Sequence, residues 1–131
     1  MNRKRKDKKA RPLLGPLELE VMKVAWERED VAVSDVVDAL AGDKKPHHNT
    51  VMTVMKRLAE KGLLEQYARD GRTNGYRPAV SRESISNDYL DLVKEQFFDG
   101  SVAETIAAFI GRERLSPSKK AALKKLIDRI R

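Results

Sequence analysis

Between His48 and Gly62 the apolar residues Val51, Met52, Val54, Met55, Leu58 and Ala59 recur at three- and four-residue spacing. At 100° per residue they fall within one arc of about 160°, which predicts a helix with one buried side. Asn49, Thr50, Thr53, Lys56 and Arg57 fill the opposite side, and no acid appears there before Glu60. Two helices are predicted ahead of it. Leu17, Leu19, Val21, Met22, Val24, Ala25 and Trp26 leave only Glu20, Lys23 and Glu27 as a narrow polar stripe, and Pro16 suits a first turn. "VSDVVDALAG" predicts a shorter helix. Ser34 is its expected cap, Asp35 and Asp38 favour its positive end, and Gly42 is its expected left-handed stop.

After Gly62, "LLEQYAR" reads as a strand and "YRPAV" as the returning one. The dipeptides Asp70-Gly71 and Asn74-Gly75 between them both read as turns. From Ser81 the helical period returns in three segments. Ile85, Tyr89, Leu92 and Val93 lead to Phe97 and Phe98, where Gly100 breaks the run. "SVAE" reads as a capping box, with Ser101 capping forward and Glu104 reaching back; Val102, Ile106, Phe109 and Ile110 line that helix, and Gly111 is its expected end. Ser116 and Pro117 open the last helix, striped by Leu123, Leu126, Ile127 and Ile130. Three short helices make a marginal free-standing core, so their stripes are expected to meet a second copy of the chain.

The fold class expected is mainly α (α+β): a winged helix-turn-helix over residues 13–80 and a helical dimerisation region over 81–131. Residues 1–12, "MNRKRKDKKARP", have no apolar period and predict a disordered basic arm. Charge sharpens this division. The 131-residue chain has a net charge of +7, carried unevenly. Residues 1–12 hold seven basic residues and one acid, residues 13–43 two and eight, residues 44–82 nine and three, and residues 83–131 nine and eight. A basic block centred on the third helix is the footprint of a phosphate-backbone binder.

The absences are also informative. No apolar run approaches the roughly 20 residues of a membrane span, and no apolar segment follows the basic N-terminus as in a signal peptide. Both point to a cytoplasmic protein without membrane insertion. There is no cysteine, hence no disulfide or thiolate chemistry. His47 and His48 are adjacent, a poor metal pair, and at the start of a helix they read as phosphate contacts or as an exposed turn. No phosphate-cradling glycine loop and no metalloprotease helix is present, so neither catalysis, a cofactor nor a metal is expected.

The third helix carries the main constellation. An amide and hydroxyls read base edges, and Lys and Arg reach phosphate or guanine. Asn49, Thr50, Thr53, Lys56 and Arg57 are therefore the expected DNA-binding set on a recognition helix of about residues 48–61. Arg69 and Arg72 join it from the wing (69–77), while Arg77 either touches phosphate or pairs within the hairpin. The rival reading is a winged-helix interaction module whose basic face meets an acidic protein.

"LGPLELEVMKVAWE", "NTVMTVMKRLAEKGLL", "GRTNGYRPAVSRE" and "FFDGSVAETIAAFI" together resemble the penicillinase-repressor family over about residues 13 to 131. The resemblance implies a homodimeric bacterial transcriptional repressor on double-stranded DNA with a palindromic operator. It implies the groove-facing role for the third helix and dimerisation through Ile85, Tyr89, Leu92, Phe97, Ile106, Phe109, Leu123, Leu126, Ile127 and Ile130. It also implies a sensor-linked protease as partner, cutting at Ala108–Phe109, where β-lactam-responsive members have Asn in place of the Ala. The copper-sensing motif of other members needs cysteines that this chain lacks.

Overall fold

The computed structural model describes residues 14–40, 42, 46–69, 71 and 73–130; the expected basic arm lies outside them. The elements run α1 (Pro16–Arg28), α2 (Val33–Ala39), α3 (His48–Glu60), β1 (Leu64–Arg69), β2 (Thr73–Pro78), α4 (Arg82–Phe97), α5 (Val102–Arg112) and α6 (Pro117–Arg129). The protein is mostly helical with a winged helix-turn-helix, as expected. It divides into two compact units, Met1–Tyr89 and Leu90–Arg131. No helix of the described residues is long and apolar enough to cross a membrane.

The first unit is built on one core. Val21, Met22 and Ala25 of α1, Val36 of α2, and Val51, Met55 and Leu58 of α3 are fully buried, with Leu63 and Tyr76 from the hairpin region. Burial of these side chains drives the packing of the three helices, at about 25 cal/mol per Å² of apolar surface. β1 and β2 pair antiparallel from Leu64↔Pro78 to Arg69↔Thr73. Val31, just before α2, adds a bridge to Tyr76, whose N–H and carbonyl both bond it. The hairpin is thus tied to the α1–α2 turn as well as to α3. Trp26 Nε1 donates to the Val80 carbonyl at 2.9 Å, and Arg82 lies over its ring.

Several local expectations are corrected. Ser34 does not cap α2, which begins one residue earlier at Val33. Asp35 does the work instead, its Oδ2 accepting from the Ala32 N–H at 2.8 Å. α2 closes at Leu40 by its N–H to the Val36 carbonyl, before Gly42, which is not among the positive-φ glycines. α5 runs through Gly111 to Arg112.

The larger correction is in the wing. β2 begins at Thr73, so Asn74-Gly75 is strand, not turn, and Gly71 with φ of 69° supplies the reversal. Gly75 pairs with Tyr67, and a Cβ there would sit 2.6 Å from the Tyr67 hydroxyl oxygen. The glycine makes room for a ring laid across the strands. Where the helix ends do match expectation, the bonds are explicit. At the end of α3, Gly62 (φ 82°) and Leu63 donate to the Ala59 and Leu58 carbonyls, the Schellman pattern that needs a left-handed residue.

In the second unit Ser101 Oγ accepts from Glu104 N at 3.0 Å and Ser116 Oγ from Lys119 N at 3.2 Å, so both serines cap as expected, and of the expected capping box on α5 it is the Ser101 half that is formed. No described residue after Ile85 is buried.

Candidate nucleic-acid interface

α3 presents the expected division. Val51, Val54, Met55 and Leu58 are buried, and Asn49, Thr50, Thr53, Lys56 and Arg57 are all exposed on the other side. The side is held open by packing on the core rather than by its own polar bonds. Among the described residues only Thr53 bonds back, its hydroxyl donating to the Asn49 carbonyl at 3.0 Å, which leaves the oxygen able to accept. Lys56 and Arg57 have no ion pair among the described residues. Both side chains face solvent. His47 is the N-cap residue, with no side-chain cap bond, and His48 opens the helix; both are exposed.

The far end of α3 is fixed by a residue that the apolar pattern gave no role. Glu18, on the first turn of α1, is 8% exposed. Its Oε1 accepts from the Gly15 N–H at 2.9 Å and its Oε2 from Lys61 Nζ at 2.8 Å. Burial pushes this carboxyl up, but the bonds from Lys61 and Gly15, with the charges of Lys61 and Arg57, outweigh it and hold the pKa below 4.5. One carboxylate thus caps α1 and pins the C-cap of α3. Its capping-box spacing from Gly15 was the available signal; the Lys61 contact, 43 residues away, had none.

The wing differs from expectation. Arg69 is not a free cation: its two terminal nitrogens lie 3.8 Å from Asp30 Oδ1 and 3.8 Å from Asp35 Oδ2. Arg77 stacks over the Tyr67 ring, 4.0 Å from its centroid, and lies 4.0 Å from Glu65. Of the two readings open for Arg77, pairing within the hairpin is the one observed. The Tyr67 hydroxyl donates to Asp30 Oδ1, and this bond raises its pKa, with burial and the Asp30 charge adding. Asp30, Asp35 and Tyr67 were missed because nothing periodic links a turn, a helix start and a strand. Arg72 lies outside the described residues.

A model of penicillinase repressors matches residues 14–129. The chain belongs to the penicillinase-repressor family. It is 34% identical over 116 residues to the transcriptional regulator BlaI of Mycobacterium tuberculosis, covering 87% of this chain and 82% of that protein. It is 25% identical over 121 residues to the penicillinase repressor of Bacillus licheniformis, covering 89% and 91%. Among solved structures, the complex structure of hsRosR-S4 is similar with a TM-score of 0.53 at 21% identity, covering 82% of this chain and 96% of that one, a likeness of fold. Membership of the penicillinase-repressor family makes this a regulator rather than an enzyme.

The residues expected to dimerise separate into two groups. Ile85 is 6% exposed within the first unit's core, and Tyr89 packs on that core with its hydroxyl accepting from the Leu14 N–H at 2.8 Å. Both are occupied inside the protomer. The exposed group is Phe97, Ile106, Phe109, Leu126, Ile127 and Ile130, joined by Leu90, Val93 and Val102; Leu92 and Leu123 are half-buried. All nine exposed large apolar residues of the described chain thus belong to the second unit. Ala108 and Phe109 lie within the body of α5.

Proposed function

We propose that this chain is a homodimeric transcriptional repressor whose α3 enters the major groove at each half of a palindromic operator. The observation that carries this reading is the α3 face: a helix held by four buried apolar residues, offering an amide, two hydroxyls and two cations without an ion pair among the described residues, with no acid before Glu60. An amide reads adenine, hydroxyls read either edge, and Arg reads guanine or takes phosphate. The family, with relatives named repressor and transcriptional regulator, supports the regulatory outcome.

Residues 90–130 supply the dimer contact in this reading. A unit with no buried residue and nine exposed large apolar side chains lacks a core until a partner provides one. Two-fold pairing then presents two copies of α3 to half-sites about 10 base pairs apart, centre to centre. Relief by a sensor-linked protease at Ala108–Phe109 requires α5 to open first, because that bond is inside a hydrogen-bonded helix.

Gel-shift titration of the chain on the DNA upstream of its own gene, over a range of salt, tests the assignment. Arg57→Ala and Lys56→Ala should each cost roughly 1–3 kcal/mol of binding. Unchanged affinity in both variants refutes the α3 reading. A footprint without two-fold protection favours the protein-interaction alternative.

A further inference from the structure

Arg69 closes β1 beside the hairpin tip, at a wing position expected from the sequence to contact DNA, and this inference rests on the DNA-binding reading above. Yet its guanidinium is divided between two acids, one nitrogen 3.8 Å from Asp30 and the other 3.8 Å from Asp35. The acids are anchored independently of it. Asp35 Oδ2 holds the Ala32 N–H at 2.8 Å as the cap of α2, and Asp30 Oδ1 accepts from the Tyr67 hydroxyl. Tyr67 is itself fixed between Gly75, where no Cβ fits, and the overlying Arg77. Among the described residues two fixed carboxylates thus share one guanidinium. A phosphate approaching the base of the wing meets an arginine already engaged by two acids. On α3 the arrangement is the reverse, for Lys56 and Arg57 carry no ion pair among the described residues.

We propose that Asp30 and Asp35 are affinity-tuning residues that hold Arg69 out of the phosphate-binding set and so weaken sequence-independent DNA binding. Phosphate contacts carry no sequence information, whereas base contacts do. Taking a wing cation out of play lowers affinity for all DNA alike, and leaves discrimination to the helix that reads bases. Long-range attraction from the basic block is kept, since the charges of α3 are untouched.

The test is the salt dependence of binding to a mixed-sequence duplex without inverted repeats, measured by fluorescence anisotropy on the full chain. Each neutralised phosphate contributes about 0.9 to the slope of log K against log salt. Asp30→Asn with Asp35→Asn keeps the acceptors for Tyr67 and Ala32 while removing both charges. That double variant should bind more tightly at low salt and gain about 0.9 in slope, an extra three- to four-fold loss between roughly 50 and 200 mM salt. Adding Arg69→Gln to it should abolish the gain, and Arg69→Gln in the parent should leave the slope unchanged. Asp30→Asn alone, which leaves the α2 cap untouched, should move in the same direction by a smaller amount and serves if the double variant does not fold.

A parent slope reduced by about 0.9 on Arg69→Gln would mean that Arg69 already sits on phosphate, and overturns the proposal. So does a gain that survives Arg69→Gln, which is mere loss of negative charge, and so does an unchanged slope in the Asn variants. All three leave the role of α3 standing. A parent chain that binds no duplex at low salt overturns both.

Discussion

Replacing Lys61 by Met would test how α1 holds the C-terminal end of α3. The substitution keeps most of the length and an unbranched apolar stem and removes the charge from beside a carboxylate 2.8 Å away. Exposed ion pairs contribute about 0–1 kcal/mol and breaking a fully buried one costs about 3–5 kcal/mol. The Lys61 and Glu18 side chains are 25% and 11% exposed, so the pair lies between these limits. Solvent screens part of the loss, and the Gly15 N–H still bonds Glu18. The expected destabilisation near neutral pH is about 1–3 kcal/mol. For a unit of this size that is roughly 4–8 °C in midpoint per kcal/mol.

The pH dependence has a fixed sign. The folded pKa of Glu18 is held below 4.5, so the parent's extra stability is present above that value and is lost as pH falls through the folded pKa. Without Lys61, burial of the carboxylate loses its main counterweight, and protonation removes the penalty. The gap between parent and variant should therefore be widest at neutral pH and close as pH falls through the folded pKa of Glu18. Thermal unfolding followed by circular dichroism across that range measures it. An equal gap at both ends would show that Lys61 acts through packing alone, and the electrostatic account of α3 positioning would fall.

Other outcomes follow from the same geometry. Gly75→Ala should destabilise the hairpin by about 1–3 kcal/mol, because a Cβ 2.6 Å from the Tyr67 hydroxyl oxygen forces the ring off its site; chemical denaturation reads the loss, and a neutral variant refutes the close approach. Leu58→Ala, at a fully buried site on α3, should cost about 2–5 kcal/mol by the same measurement. Ile106→Glu with Phe109→Glu should shift the chain to monomers in sedimentation while leaving the first unit folded; a persistent dimer would place the contact elsewhere.

The elements most legible in the sequence were those whose cause is local. α3 declared itself because its apolar residues and its cations occupy opposite sides of one helix, and Gly62 marked its end through a backbone angle that other residues adopt at a cost. Asn74-Gly75 misled for the converse reason. Its composition is that of a turn, but Tyr67, on the neighbouring strand, sets what position 75 must be. The wing arginines misled in the same way: charge is visible in a sequence, but whether an acid 34 or 39 residues earlier has already neutralised it is not. Ile85 and Tyr89 share a stripe with residues that stay exposed, and only the packing of the first unit separates them.

The absence of any buried residue between Ser86 and Ile130 has a consequence for dosage. In the proposed homodimer this segment acquires its interior by encounter, so its folding is second order in the chain. At low copy number that proposal has the readers acting singly and letting go quickly. Past a threshold concentration the proposed dimer engages both half-sites, and the response of its promoter to the amount of protein is then expected to be steeper than linear.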